Sequence, residues 1–291
     1  MGNIFACLNT SPAQVVKIDA DTMATVAVWV GAVGENLGRV ITKLGGFLYV
    51  GIETSPIRVI KINAVTLITD SVWIGAVGQD VCGPIVHDGA YIYVWAGIAT
   101  DQVVKIDPAG MTTVAVWGSG IAAFYAGALY YLAPYLYEGS VSLPAVVRKI
   151  DPVTMATVAS WVGVLPRKDP NVITADDTYI YVSLRGLDYL LIKINPVTMV
   201  EVGAYYEAGA EGGWSALVHK DGFVHCGLYT APAYDVKMSA VTMTYSQYWE
   251  GGAGENYCTS LVKDNVNVYA GRFLSPARVV KIDPVTMLAV A

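Results

Sequence analysis

"VVKIDPVTM" occupies residues 279–287, and "VVKIDADTM" occupies residues 15–23. Between them stand "VIKINAVTL" (59–67), "VVKIDPAGM" (103–111), "VRKIDPVTM" (147–155), "LIKINPVTM" (191–199) and "DVKMSAVTM" (235–243). Their lysines are Lys17, Lys61, Lys105, Lys149, Lys193, Lys237 and Lys281, spaced by 44 residues throughout. Trp29, Trp73, Trp117, Trp161, Tyr205 and Trp249 keep the same beat. Intervals free of insertion or deletion mark one amplified unit.

The unit 38–75, "GRVITKLGGFLYVGIETSPIRVIKINAVTLITDSVWIG", contains four strand-like runs. Gly45-Gly46 joins the first run to the second, and sister copies place Asp88-Gly89 or Asp221-Gly222 there, a hairpin signal. "TSP" breaks the chain before the third run. The turn after it, of the "DPVT" type, uses Asp as a local cap and Pro to preset φ. The runs are apolar on both faces, as in sheets buried on both sides. A four-stranded period of this length predicts an all-β chain of β-propeller blades, forming a single domain over 1–291.

"DGAYIYV" (88–94), "DDTYIYV" (176–182) and "KIDPVTMATVA" (149–159) resemble the YVTN/NHL type of β-propeller repeat, and the resemblance covers essentially the whole chain. It implies a propeller scaffold. Such scaffolds serve structure, ligand binding and some enzymes, so the resemblance is specific for fold and not for function.

The second and third runs occur seven times and the first run six times; the chain ends in "MLAVA", partway through a fourth run. Seven full units would need 308 residues, against the 291 present. The expectation is seven blades, with the blade at the chain junction incomplete. The alternatives are six blades with a surplus terminal arm, which would need a partner to protect its edge, or a segment of a longer array.

Apolar residues make up 54% and charged residues 14%, with a net charge of −6. An acidic chain without clustered Lys and Arg argues against nucleic acid. No secretory signal is visible. The uncharged stretch "IAAFYAGALYYLAPYLY" (121–137) keeps the register of its polar sister copies, so it is read as buried strands and not as a membrane span. These features favour a cytoplasmic or virion-associated protein. Cys7, Cys82, Cys226 and Cys258 lack paired spacing and are read as buried thiols.

The repeated lysine is read as a strand residue pairing with a nearby carboxylate or carbonyl, in preference to a ring that binds polyanions. The repeated tryptophan is read as packing between blades, in preference to a set of sugar-stacking sites. His225 takes a slot held by tyrosine in sister copies, and His87 and His219 are equivalent to each other; three histidines make no metal or triad pattern. No GxSxG, HExxH or P-loop motif occurs, so no catalytic residue, metal or cofactor is assigned. The copies disagree in the loop after the fourth run and at the end of the second run, two segments expected on one face at the channel mouth. Recognition on a rigid scaffold concentrates in such loops. The candidate binding face is Glu35, Asn36, Arg39, Glu53, Asp80, Lys168, Arg185, Trp214, Glu255 and Arg272. The expected role is structural or protein-binding, with protein partners or self-assembly in a surface layer or virion. A lectin-like glycan binder and a propeller lyase or lactonase are the alternatives.

Overall fold

In the computed structural model, twenty-seven strands are found and no helix among the described residues, which are 2–98, 101–120, 127–140, 142–165, 167–185, 189–207, 213–252, 254–274 and 276–290. The side chains of residues 98, 168, 185 and 189 are outside that description. The strands form seven separate sheets, each ordered as in the sequence. The first sheet, between Asn3 and Val30, has three strands; the other six have four. The latter run from Gly38 to Ile74, Gln79 to Gly118, Ala128 to Val162, Lys168 to Glu207, Trp214 to Glu250 and Cys258 to Ala289. The first sheet lacks the repeat's first strand, and the seventh ends in a two-residue fourth strand, Leu288–Ala289. The expected seven-unit count with incompleteness at the junction is therefore what the strands show.

The apolar stretch at 121–137 divides as the repeat demands. Residues 121–126 are outside the described residues, and strands Ala128–Leu132 and Tyr135–Ser140 follow. Among the described residues no helix is long and apolar enough to cross a membrane.

Local chemistry explains each turn. In the turn after the third strand, the Asp19 carboxylate accepts the amides of Asp21 and Thr22 at 2.9 and 2.8 Å. The Met23 amide then closes onto the Asp19 carbonyl at 2.9 Å. Met23 has φ 57°, and Leu67, Met111, Met155, Met199, Met243 and Met287 repeat that left-handed conformation. A bulge between Lys17 and Ile18 accompanies it, so the connection is a type I turn followed by a left-handed bulge residue. Glycine is the usual occupant. Here burial of the methionine side chain, as at Met243 (5% exposed), offsets the cost of a non-glycine residue at positive φ.

The "DGAYIYV" type of segment has its own logic. Asp88 accepts the amides of Ala90 and Tyr91 and the Tyr93 hydroxyl, the last at 2.7 Å. Asp176 holds Thr178, Tyr179 and Tyr181 in the same way, and Asp264 holds Val266, Asn267 and Tyr269. The Asp221-Gly222 copy differs: both residues have positive φ, the two-residue hairpin geometry that Asp-Gly favours.

Contacts divide the chain into two compact units, Met1–Leu136 with Ile150–Ala156 and Tyr137–Lys149 with Thr157–Ala291. The first unit holds sheets one to three and the second holds sheets five to seven. Within the first, Ala13, Val15 and Trp29 pack against Val50, Ile52 and Ile60 of the next sheet. Within the second, Tyr181 and Leu191 pack against Trp214, Leu217 and Val224 of the next.

Candidate functional site

The most regular residues of the repeat join sheets to each other. Lys193 Nζ donates to the Ala240 carbonyl at 2.6 Å and lies 4.0 Å over the Tyr179 ring. Lys237 does the same with Pro284 and Phe223, and Lys105 with Pro152 and Tyr91. Lys17 donates to Ala64 and Val65, whereas Lys61 pairs with Asp70 at 3.0 Å. The ammonium groups of Lys17, Lys105, Lys193 and Lys237 are therefore fasteners between blades, while Lys61 pairs with a carboxylate of its own sheet.

The tryptophans are fasteners too. Trp29 donates its indole N–H to Thr69 Oγ1 at 3.0 Å and Trp73 to Thr113 Oγ1 at 2.9 Å. Trp29, Trp73, Trp117, Trp161 and Trp249 are all buried, so they present no face on which a pyranose could stack.

The two variable loop sets do share one end of their sheets. The Leu37 amide donates to Thr10 O and its carbonyl accepts from Glu53; Tyr257 makes the same pair of bonds with Thr230 and Phe273. On that face the candidate residues divide by environment. Glu35 Oε2 accepts the Ala32 amide at 2.9 Å, and Glu255 Oε2 accepts the Gly252 amide at 3.0 Å. Their carbonyls accept the amides of Ala13 and Ala233. Gln79, at the same repeat position, also folds back, onto Ala76. These side chains close their own loops. Arg58 and Arg278 approach Glu35 and Glu255 at 4.0 and 3.6 Å.

Asn36 and Asp80 are equivalent, and each accepts a serine hydroxyl, from Ser11 and Ser55 respectively. Arg39 and Glu53 form a half-exposed ion pair at 3.7 Å. Lys168 and Arg185 are register partners at the end of their strands, and their side chains are outside the description. Trp214 is 2% exposed and packs with Tyr205 in the core, so its indole is not offered to solvent. Arg272 is 3% exposed and stacks on Trp249 at 4.3 Å.

Aligning the seven copies exposes polar residues that the loop-based reading passes over. Asp235 stands where other copies have Val15, Val59, Val103, Val147, Leu191 and Val279. It is fully buried, with Oδ2 3.3 Å from His225 Nδ1. Among the described residues, its Oδ1, the His225 Nε2 and all three Arg272 guanidinium nitrogens have no hydrogen-bond partner. Burial pulls the Arg272 guanidinium below its ordinary value, and the neighbouring Cys258, Asp235 and Glu255 oppose that. In the fourth sheet, Glu138 replaces an apolar residue and pairs with Arg148 at 3.0 Å, with Ser140 donating to the same carboxylate. Cys82 and Cys258 are buried, and desolvation pushes both thiols up to about 12. Among the described residues no group of three or more His, Cys, Asp or Glu is arranged to hold a metal ion.

Comparison with known proteins supports the architecture. No protein-family model matches the chain, and no curated protein matches it. Among solved structures, the β-propeller domain of Cps50 (Swd1) from Myceliophteria thermophila aligns with a TM-score of 0.72 at 11% identity, covering 92% of this chain and 90% of that one. The computationally designed Ika8 protein aligns with a TM-score of 0.69 at 12% identity, covering 97% and 82%. At such identities the likeness concerns fold alone. Seven consecutive meander sheets with this likeness make the fold that of a seven-bladed β-propeller.

Proposed function

We propose that the chain is a non-enzymatic propeller of YVTN/NHL type, a single domain over 1–291, that works by binding or assembling with proteins. A β-propeller is a generic scaffold for protein binding or structure. The carrying observation is where the repeated chemistry goes. Lysine, tryptophan and aspartate, the residues that recur in nearly every copy, are spent on turns and on bonds between sheets. The surface left over is poor in charge and bears exposed apolar residues on the fourth strands, such as Val26, Val28 and Val30. Unprotected strand edges of this kind suit contact with other proteins, including copies of the same chain in a surface layer or virion.

Among the described residues of the candidate face, Arg39, Glu53, Asn36 and Asp80, with the loops around them, are accessible to a partner. Sedimentation over a wide concentration range tests the reading. Association that strengthens with concentration is the expected result; a monomer that stays monomeric at high concentration and engages no protein overturns it.

A further inference from the structure

The seam between the fifth and sixth sheets departs from the repeat at four positions together. Tyr205 stands where Trp29, Trp73, Trp117, Trp161 and Trp249 stand in other copies. Tyr245 stands where Thr69 and Thr113 accept the indole N–H of the preceding sheet. Tyr248 replaces Val28, Val72 and Val116, and Tyr234 replaces Gln14, Arg58 and Gln102. Unrelated drift would not convert four positions of one seam to a single residue type.

These residues gather on the facing sides of one seam. Tyr205 and Glu207 lie two apart on one strand and so point the same way, and the Tyr205 hydroxyl donates to Glu207 Oε2 at 2.8 Å. On the facing sheet, Tyr234 is the cross-strand partner of Glu250 and donates to its Oε1 at 2.8 Å. Tyr248 shares that side, with its ring 5.5 Å from Tyr234 and 6.4 Å from Tyr245. Tyr205 and Tyr234 both pack on the core between the two sheets. Tyr245 and Tyr248 are each 49% exposed.

Among the described residues of these two sheets, Arg167 is committed to Glu201, and the Lys193 and Lys237 ammonium groups are turned onto carbonyls. Burial first, then its bond to Glu207, pushes the Tyr205 hydroxyl up to about 12, so it remains a donor at neutral pH.

We propose that this tyrosine–carboxylate surface binds cationic side chains, those of an arginine- or lysine-bearing segment of a protein partner. Tyrosine faces flanked by carboxylates complement a guanidinium or ammonium group. Elsewhere in this molecule four lysines and Arg272 already rest on aromatic rings at 4.0–4.3 Å. A neutral sugar would stack on the rings but gain nothing from the charges of Glu207 and Glu250. The proposal rests on the protein-binding reading, although sedimentation and the titration below fail independently.

The test is fluorescence anisotropy with a labelled peptide of alternating glycine and arginine, titrated with the full chain at low and moderate salt. A peptide carrying citrulline for arginine is the neutral control. Tyr248→Ala and Glu250→Gln should each weaken binding about fivefold, equivalent to about 1 kcal/mol, whereas Tyr248→Phe should retain it. Asp21→Asn, which removes the same charge from an exposed turn of the first sheet, should leave affinity unchanged. Circular dichroism checks that each variant is folded. Equal losses for Asp21→Asn and Glu250→Gln, equal binding of the citrulline peptide, or displacement of the arginine peptide by neutral oligosaccharides would each overturn the proposal.

Discussion

Replacing Asp235 and Arg272 by the residues their sister copies carry should yield a strongly non-additive stability cycle. The template is the seam of the first two sheets, where Val15 and Ile52 are both fully buried beside Trp29. The sixth and seventh sheets put a carboxylate and a guanidinium in those two places, beside Trp249. Asp235→Val alone leaves the Arg272 charge buried with one of its nearby negative charges removed. Arg272→Ile alone leaves Asp235 with only His225, 3.3 Å away. No ion pair joins the two groups, so each single variant forfeits a through-space attraction and should lose about 1–2 kcal/mol.

The double variant removes both desolvation penalties and buries two aliphatic side chains worth about 1.5–3 kcal/mol each. It should fall between neutral and about 4 kcal/mol more stable than the parent. Urea denaturation of the four proteins, followed by tryptophan fluorescence and circular dichroism, measures the cycle. A double variant as unstable as the two singles combined would refute the reasoning, because Arg272 would then be balanced by something other than Asp235.

Three further outcomes follow from the fasteners, the turns and the thiols. Lys193→Met removes a charged hydrogen bond to Ala240 and a cation–π contact with Tyr179, and should cost about 2–3 kcal/mol in the same denaturation assay; no loss would mean the bond adds nothing. Amide hydrogen bonds from the turn hold Asp19, Asp151 and Asp283 below the ordinary carboxyl value of 3.8. A lowered folded-state value stabilises the protein above the unfolded value, and that stability is lost as pH falls through the lowered one, so the melting temperature should drop below about pH 4. A melting temperature that stays level down to strong acid would contradict this. Cys7, Cys82 and Cys258 are pushed up to about 12 by burial, and Cys226 is raised by the same cause. Alkylation at mildly alkaline pH, read by mass spectrometry, should therefore label none of them until denaturant is added, and rapid native labelling would be the opposite result.

The period carried most of the fold in the sequence, because seven copies align one another. The strands, the hairpin at Asp221-Gly222 and the incomplete first sheet all follow from it. The left-handed methionines were not legible, since that conformation usually announces itself as glycine. The candidate face was legible only as a set of loops. Arg272 lies one residue before the position held by Glu53 and Tyr229, and on a strand one residue of register turns a side chain to the opposite side. It therefore points into the seam. Glu35 and Glu255 read equally well as binding groups or loop closers, and only the bonds to Ala32 and Gly252 separate the two roles.

Copies this alike pose a folding problem that their differences resolve. Shared lysines and turns would let many sheets pack against many others, since Lys105, Lys193 and Lys237 make the same fastener. The departures occur in complementary sets across seams. A Cβ on Gly38 would come within 2.5 Å of Cys7 Sγ, and one on Gly51 or Gly227 would run into Cys82 or Cys258. In the first pair the cysteine is on the earlier sheet, and in the other two on the later one, so exchanging sheets would set cysteine against cysteine or glycine against glycine. Asp235 with Arg272, and Tyr205 with Tyr245, follow the same rule with charge and ring volume. A sheet placed out of order would bury an unmatched charge or overfill its seam, at several kcal/mol each. The same positions that make the seams unlike one another thus specify the order of the blades, and they give the fifth–sixth seam its cluster of tyrosines.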